Sequence, residues 1–270
     1  MKKLLIQIVK ILKHADIHPS NFAHAYDEGR SIVTNASVHK DNFNFVNIDL
    51  TNFFPSITKE VIEKTIPRIY SLNGIYEDIS NKDFFWDCIL YKGALPQGAV
   101  TSPFLYNIVM IPFEYHLTAA IKENRRDIVL TRYADDITFS SKLKISTEQM
   151  LSFIDIARKR AYPDYYDFIQ VNPKKTRLTT YKGKNRVTGV KINAENKLSI
   201  GYKEKQTLKM DMVSLIITKL RGEPIDSERA METLGMFSYL RSVEPGYANY
   251  LLRNWSRKFG IDDVIKYLSN

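Results

Sequence analysis

Several stretches in the middle of the chain alternate apolar and polar residues with a period of two, the pattern of half-buried β-strands. The predicted strands are residues 43–50, 128–133, 137–141, 187–192 and 197–202. The first ends near Asp49, and Asp135 and Asp136 lie in the tight hairpin turn between the second and the third. The pattern therefore places three aspartates at strand ends.

Other apolar stretches repeat every three to four residues, which predicts amphipathic helices. The predicted helices are residues 3–14, 58–72, 83–91, 103–121, 146–161, 205–221, 226–241, 246–257 and 261–268. Thr58 is suited to cap the second helix, and Pro67 is expected to kink or end it. Strands thus dominate the middle of the chain and helices its last seventy residues, which predicts an α+β fold.

The positive charge of the chain is unevenly distributed. The 270 residues carry 39 basic and 30 acidic side chains, a net charge of +9. Residues 141–200 alone hold 13 basic against 5 acidic side chains. Tyr162, Tyr165, Tyr166 and Tyr181 are interleaved with them. Clustered cations neutralise phosphates and aromatic rings stack on bases, so this stretch favours nucleic acid as a partner, although a solvated basic face has the same pattern.

The composition excludes several classes of protein. With 44% hydrophobic residues the chain can bury a core and is not disordered. The single cysteine, Cys88, rules out an internal disulfide framework and a cysteine-based zinc site, so a cytoplasmic protein is the expectation. No stretch of about 18 apolar residues occurs, so no membrane association is expected.

The three aspartates suggest a metal site. Paired aspartates are common in turns, but carboxylates between apolar strands are costly unless their charge is compensated. Divalent cations bound by carboxylate oxygens provide that compensation, and two of them can activate a hydroxyl and stabilise a leaving pyrophosphate. Asp49, Asp135 and Asp136 are therefore candidate metal ligands.

Three motifs in order resemble those of reverse transcriptases. Tyr-Ala-Asp-Asp at 133–136 resembles their catalytic box, and Phe-Val-Asn-Ile-Asp-Leu-Thr-Asn-Phe-Phe-Pro-Ser-Ile at 45–57 resembles their first palm motif. Leu-Pro-Gln-Gly-Ala-Val-Thr-Ser-Pro at 95–103 resembles the motif between them. Two further elements, Asn-Ala-Ser-Val-His at 35–39 and Val-Thr-Gly at 187–189, resemble markers of the retron branch.

The resemblance implies an RNA-directed DNA polymerase with a right-handed polymerase fold. It implies partial fingers at 1–41 and 59–94, an antiparallel-sheet palm at 42–58 and 95–192, and a helical thumb at 203–270. Its partners would be a noncoding RNA template and primer, dNTPs, a single-stranded DNA product and a separate effector protein in anti-phage defence. Synthesis by another defence-associated or abortive-infection reverse transcriptase, with a DNA template or none, and a catalytically silent RNA-binding scaffold remain alternatives.

The resemblance also assigns roles to residues. Two Mg²⁺ ions would be bound by Asp49, Asp135, Asp136 and the carbonyl of Leu50, and Lys175 would act near the leaving pyrophosphate as a proton donor or as a neutralising charge. The nucleotide site would comprise Leu50, Phe53, Phe54, Gln97 and Gly98. Phe54 would exclude the 2′-hydroxyl of an rNTP, unless it is simply a core aromatic. RNA contacts would come from Asn35, His39, Val187, Thr188 and Gly189; for Asn35 and His39 the alternative is a bracing or packed role.

One feature of the family is not visible before Asp49. Its members carry a basic residue on a hairpin that clamps the triphosphate, and Arg30 is the only arginine in this part of the chain. Either the sequence continues upstream, or Arg30, a partner or the RNA supplies the charge. We therefore expect residues 1–270 alone to bind dNTPs weakly.

Overall fold

The computed structural model describes residues 2–13, 20–69, 83–180 and 185–269. Its internal contacts divide the chain into two compact units, residues 1–183 and residues 184–270. The first unit contains the motifs with the three aspartates, and the second contains most of the C-terminal helices.

The first unit combines helices with one antiparallel sheet. Its helices are α1 (Lys2–Lys13), α2 (Ile32–Val38), α3 (Lys59–Thr65), α4 (Asp83–Ile89), α5 (Ser102–Asn124) and α6 (Thr147–Ala161). Its strands are β1 (Asn44–Asp49), β2 (Val129–Tyr133), β3 (Asp136–Ser141) and β4 (Arg177–Thr179). Short 3₁₀ turns cover Ile66–Arg68 and Tyr166–Phe168.

The sheet has the strand order β2-β3-β1-β4. In the antiparallel pair of β1 and β3, Asn44 lies opposite Ser141 at one end and Asp49 lies opposite Asp136 at the other. Both central strands have buried apolar residues on their faces, among them Val46, Ile48, Ile137 and Phe139. This register brings the strand-end aspartates together at one end of the sheet.

Helices α5 and α6 pack against each other beside this sheet. Helix α5 is apolar on nearly all sides and contains Pro112, which cannot donate the helical hydrogen bond to the carbonyl of Ile108. The next carbonyl, that of Val109, accepts a hydrogen bond of 2.5 Å from the buried hydroxyl of Tyr162. The part of the helix beside Pro112 is thus anchored by the residue that follows α6.

The second unit is a small sheet followed by helices. Its strands are β5 (Arg186–Val187), β6 (Val190–Ile192) and β7 (Leu198–Ser199), and its helices are α7 (Tyr202–Leu220), α8 (Ser227–Val243), α9 (Pro245–Phe259) and α10 (Val264–Ser269). Helix α8 packs against both α7 and α9. Phe237 and Trp255, with ring centroids 5.9 Å apart, belong to the buried side of this helical layer.

Most predicted elements occur within a few residues of their expected ends, with four exceptions. The helix predicted at 58–72 stops at Thr65 and is followed by a 3₁₀ turn that contains Pro67, in agreement with the expectation that this proline kinks or ends the helix. Residues 70–72 lie outside the described part. The strand predicted at 187–192 is correct for Val187 and for residues 190–192 but not as one strand, because Thr188 and Gly189 both have positive φ and turn the chain between β5 and β6. Its predicted pairing with the next strand about residues 193–196 is confirmed by the antiparallel pair of β6 and β7. Helix α2 and strand β4 were not predicted.

Candidate active site

The carboxylate cluster is made by two strand ends and the turn between β2 and β3. Asp49 is the last residue of β1, Asp136 is the first residue of β3, and the two face each other across the ladder. The turn is tight, since Tyr133 pairs directly with Asp136. The amide of Leu50 donates a 3.0 Å hydrogen bond to the carbonyl of Asp135, which fixes this turn against the end of β1.

Asp49 has partners on a second segment of the first unit. The Lys175 ammonium lies 2.9 Å from Asp49 Oδ1, and the side-chain amide of Asn172 donates to Asp49 Oδ2 over 3.3 Å. The amide of Asn172 also donates to the carbonyl of Asp49, and the amide of Thr51 donates to that of Gln170, each over 2.8 Å. The segment bearing Lys175 is therefore bound to the end of β1.

The other two carboxylates carry excess negative charge. Although Asp136 is exposed, desolvation by the surrounding protein, followed by the charges of Asp135 and Asp49, raises its pKa to about 6, while Lys175 opposes the rise. Desolvation also raises the pKa of Asp135, with the charge of Asp49 contributing and a backbone hydrogen bond and Lys175 opposing. A single lysine does not neutralise three acids, so the cluster favours an additional cation.

Carboxylate oxygens are the ligands that Mg²⁺ prefers, so the donor chemistry of Asp49, Asp135 and Asp136 fits divalent cations. Within the described ranges, however, no three histidine, cysteine or acidic side chains are grouped so that they could hold one metal ion. The carboxylate of Asp49 is instead held by Lys175 and Asn172. The donor set fits a metal, and Lys175 occupies part of it.

Aromatic rings lie beside the cluster. Phe53 and Phe54 are buried, and their rings meet edge to face with centroids 4.4 Å apart. Tyr106 of α5 lies 3.7 Å from Phe53 and 6.0 Å from Phe54 by the same measure. Phe54 is thus held by other aromatic residues; this packing suits both of its expected roles, and the rNTP-excluding role stays a prediction.

Tyr26 is a residue that the sequence argument missed. It is exposed, has a positive φ of 62°, and its ring centroid lies 6.2 Å from that of Phe54. Partial desolvation by the surrounding protein, followed by the negative charge of Asp135, raises its pKa. No local signal marked it, because its place beside the cluster depends on pairing between distant segments: the carbonyl of Phe22 accepts from the amide of Arg132.

The loop containing Gln97 and Gly98 is a turn whose two residues are exposed. Gly98 has a φ of 83°, which favours glycine at this position. The hydroxyl of Ser102 donates to the carbonyl of Pro96 over 2.7 Å and attaches the loop to the start of α5. The loop is therefore anchored while its Gln-Gly tip is open to solvent; its nucleotide contact stays a prediction.

Comparison with known proteins identifies the family. A family model described as reverse transcriptase (RNA-dependent DNA polymerase) matches residues 1–192. The chain belongs to the reverse transcriptase family. Reverse transcriptase domains generally use divalent metals, in keeping with the carboxylate cluster.

Individual relatives confirm the resemblance to retron reverse transcriptases. Retron Ec83 reverse transcriptase of Escherichia coli is 27% identical, over 99% of this chain and 83% of its own length. Retron Ec73 reverse transcriptase of the same species is 27% identical over 93% and 77%. Retron Mx162 reverse transcriptase of Myxococcus xanthus is 30% identical over 83% of this chain, which spans only 49% of that relative.

A solved structure supports the same fold. Telomerase from Candida albicans, determined with a fragment of telomeric RNA, superimposes with a TM-score of 0.52 over 98% of this chain and 48% of its own, at 12% identity. This likeness confirms the α+β polymerase fold. The ranges expected for fingers, palm and thumb stay a prediction; residues 184–192, expected in the palm, belong to the second compact unit.

Two of the expected RNA-binding residues lie in the interior of this reverse transcriptase. Asn35 and His39 are 1% and 0% exposed. The ring nitrogens of His39 lie 2.6 Å from Ser140 Oγ and 2.7 Å from Thr131 Oγ1. Side chains without accessible surface do not reach an RNA, so direct contact is not supported for this pair, and the structure favours the alternative bracing role.

The Val-Thr-Gly element forms the two-residue turn between β5 and β6. Thr188 and Gly189 have φ of 47° and 85°, the positive values that a type I′ hairpin needs. Val187 is fully buried, so its side chain does not contact RNA in this structure, while Thr188 is half-buried and Gly189 exposed. The RNA contact of the two turn residues stays a prediction.

Several side chains of the basic stretch at 141–200 are buried or ion-paired, so fewer of them are available to nucleic acid than the composition indicated. Tyr162 is fully buried and not available for stacking on bases. Ion pairs within 4 Å engage Arg158, Lys159, Arg160, Lys175, Arg186 and Lys191. Residues 181–184, part of the predicted basic run, lie outside the described residues.

Arg30, the expected substitute for a triphosphate clamp, is engaged by its own loop. Its Nη1 donates to the carbonyl of Asn21 over 2.5 Å and lies 3.3 Å from His24 Nε2. Its Nε lies 3.5 Å from Asp27. These contacts favour a structural role for Arg30 over a clamp. No helix in the described part of the chain is both long and apolar enough to cross a membrane.

Proposed function

We propose that this reverse transcriptase is of the retron type and copies a structured noncoding RNA into a short single-stranded DNA. The observation that carries the proposal is the register that sets Asp49 opposite Asp136, with Asp135 on the adjoining turn. Family membership supports RNA-directed synthesis from dNTPs. The retron relatives support the retron type.

Asp49, Asp135, Asp136 and the carbonyl of Leu50 are proposed to hold two Mg²⁺ ions. When bound, such ions lower the pKa of a 3′-hydroxyl and stabilise the charge of a leaving pyrophosphate. The protein's part is to present the carboxylates from one rigid strand pair and to exchange Lys175 for a cation at Asp49. The proposed role of Lys175 after release is to neutralise or protonate the pyrophosphate.

The nucleotide is proposed to lie between the cluster and the aromatic group. Phe54 would restrict the space beside the 2′ position of the sugar and so select dNTPs. Gln97 offers both a donor and an acceptor, and Gly98 lets the backbone come close. The exposed Gln-Gly tip supports this placement.

The biological setting is proposed by analogy with retron systems. Such enzymes act in anti-phage defence beside a separate effector protein, so a partner of this kind is expected for this chain as well. The competing proposal, a catalytically silent scaffold that holds RNA for an effector, is disfavoured because all three carboxylates are present.

The test is co-expression of the chain with the RNA of its genomic neighbourhood, followed by extraction of nucleic acid. A discrete small DNA whose mobility shifts on RNase treatment is the expected result. Asp135→Asn should abolish it, and Asp41→Asn, a surface control in the same unit, should leave it unchanged. RNA bound without any DNA in the wild type would support the scaffold instead.

A further inference from the structure

We propose that Arg132 is a positioning residue that holds the turn at Ala134 and Asp135, and with it the start of β3 at Asp136, in its metal-binding shape. The inference rests on the proposed function, in which this turn presents carboxylates to metal ions. Arg132 lies on β2 below the turn, 1% exposed, and it is among the largest fully buried side chains of the described residues.

The three nitrogens of the Arg132 guanidinium have three different partners. Nε lies 2.5 Å from Glu114 Oε1 of α5. Nη2 donates to Asn107 Oδ1 over 2.9 Å, and Nη1 donates to the carbonyl of Ala134 over 3.1 Å. Two of the three contacts anchor the group to α5, and the third holds the turn itself.

The turn needs such an anchor because of its backbone. Ala134 has a φ of 56°, the left-handed region that a residue with a Cβ adopts only at an energetic cost. Residues in this region persist when the surrounding structure over-determines them. The hydrogen bond from Arg132 to the Ala134 carbonyl, together with that from Leu50 to the Asp135 carbonyl, provides this constraint.

The anchor is itself rigid. Arg132 and Glu114 form an ion pair whose side chains are 2% and 1% exposed, and the guanidinium carbon lies 5.1 Å from the ring centre of Tyr106. Asn107 donates its amide to the carbonyl of Ala25 over 2.9 Å, so both ends of that amide are engaged. A group with this many fixed partners cannot shift without disturbing the core.

Stability alone is a poor explanation for the buried ion pair of Arg132 and Glu114. Buried ion pairs frequently contribute less than well-packed apolar residues of the same volume, because both charges lose their hydration. Glu114 Oε2 has no hydrogen-bond partner within the described residues, which adds to that cost. What the ion pair does provide is a fixed donor directly under the turn.

Lysine cannot replace Arg132 in this role. A lysine has one nitrogen on a flexible stem, whereas the planar fork of arginine reaches three separated acceptors at once. Lysine would be expected to keep the ion pair with Glu114 and to release the carbonyl of Ala134. Arg132→Lys is therefore the informative variant.

The experiment compares wild type, Arg132→Lys and Ile154→Ala at equal concentrations of folded protein. Arg132→Lys should lower kcat for primer extension by about 10- to 100-fold with the KM for dNTP within about twofold, because a displaced reacting group costs that much. It should raise the Mn²⁺ concentration for half-saturation and speed amide hydrogen exchange at residues 134–136. Ile154→Ala, a buried site on α6, is the control, since it should lower the melting temperature without these changes.

Glu114→Gln keeps the proposal testable if Arg132→Lys does not fold. It retains an acceptor for Nε while removing the charge, and its exchange rate and kcat should fall between those of wild type and Arg132→Lys. Unchanged exchange at 134–136 in both variants, or the same kcat loss in Ile154→Ala, would overturn the proposal. Exchange and Mn²⁺ binding do not depend on polymerisation, so an inactive wild type would count against the proposed function alone.

Discussion

The polar groups at the two ends of the β1–β3 ladder differ in their partners and in their charge. At the end where Asn44 lies opposite Ser141, His39 is fully buried, and both of its ring nitrogens have hydroxyl partners. At the other end Asp49 lies opposite Asp136, and three carboxylates share one lysine. The strands are the same, yet the polar groups at one end are satisfied by neutral partners, whereas at the other end only Asp49 among the three carboxylates is paired with the lysine.

The pKa values of His39 and Asp136 illustrate the difference between the two ends. Burial lowers the pKa of His39 to about 3, with the charge of nearby His24 as a smaller cause, so this residue stays neutral. Burial, Asp135 and Asp49 raise the pKa of Asp136 to about 6. A neutral, fully partnered group braces the sheet, whereas crowded carboxylates are available to a ligand.

The largest expected effect is at the carboxylate end. Asp135→Ala and Asp136→Ala should each lower primer extension by at least about 10³-fold, because the charge that binds metal is lost. Both variants should remain folded and RNA-bound, and in EDTA their denaturant midpoints should equal or exceed that of wild type. A double variant that still extends a primer in Mg²⁺ would show that the site lies elsewhere.

Phe54→Ala tests whether the nearby aromatic group faces the ligand or only the core. Removal of the ring should lower discrimination against rNTPs by about 10- to 100-fold per folded protein, since a steric clash worth a few kcal/mol is lost. Phe85→Ala, a buried control on α4, should destabilise the protein without changing the dNTP-to-rNTP ratio. If the ratio is equally unchanged in Phe54→Ala, that residue belongs to the core alone.

Lys175→Met removes the ammonium group that is paired with Asp49. Without the ammonium, Asp49 Oδ1 loses the partner that competes with a cation, so Mn²⁺ should bind severalfold more tightly by calorimetry. Primer extension at saturating metal should nevertheless fall by about tenfold or more, because a charge near the pyrophosphate is lost. Lys174→Met is the matched control, and equal metal affinity in all three proteins would contradict the exchange of Lys175 for a cation.

The pH dependence of stability should have opposite signs at the two ends. Asp136 has a folded pKa of about 6, above its ordinary 3.8, so its ionisation costs stability as pH rises from about 4 through 6. In EDTA, Asp136→Asn should therefore be more stable than wild type at pH 7, and the gain should disappear near pH 4. A constant difference in denaturant midpoint across this range would contradict the prediction.

For His39 we expect the opposite dependence of stability on pH. Its folded pKa of about 3 lies below the ordinary 6.5, so the unfolded chain takes up a proton first and stability falls as pH drops below about 6.5. His39→Gln should flatten this loss between pH 6.5 and 4.5, measured by urea unfolding. His116→Gln, at a half-buried residue on α5, is the control and should flatten it less.

Local sequence patterns predicted the carboxylate end better than the opposite one. Alternation placed Asp49 at the end of a strand and Asp135 in a turn, and both positions are confirmed. Asp136 was predicted to lie in the same turn, but it is the first residue of β3 and pairs with Tyr133 and Asp49. The burial of His39 depends on hydroxyls 92 and 101 residues further along the chain, and periodicity has no access to such contacts. Arg132 and Glu114 were missed for the same reason, because each alone is an ordinary charged residue within an apolar stretch.

The attachment of residues 170–179 to β1 has a consequence for synthesis of the protein. Asn172 is joined to Asp49 across 123 positions, and β4 covers the side of β1 that β3 does not. A ribosome releases β1 well before these partners exist, and until then one edge of β1 has unpaired backbone groups. Fragments that end before residue 170 are therefore expected to retain all three aspartates and yet to self-associate.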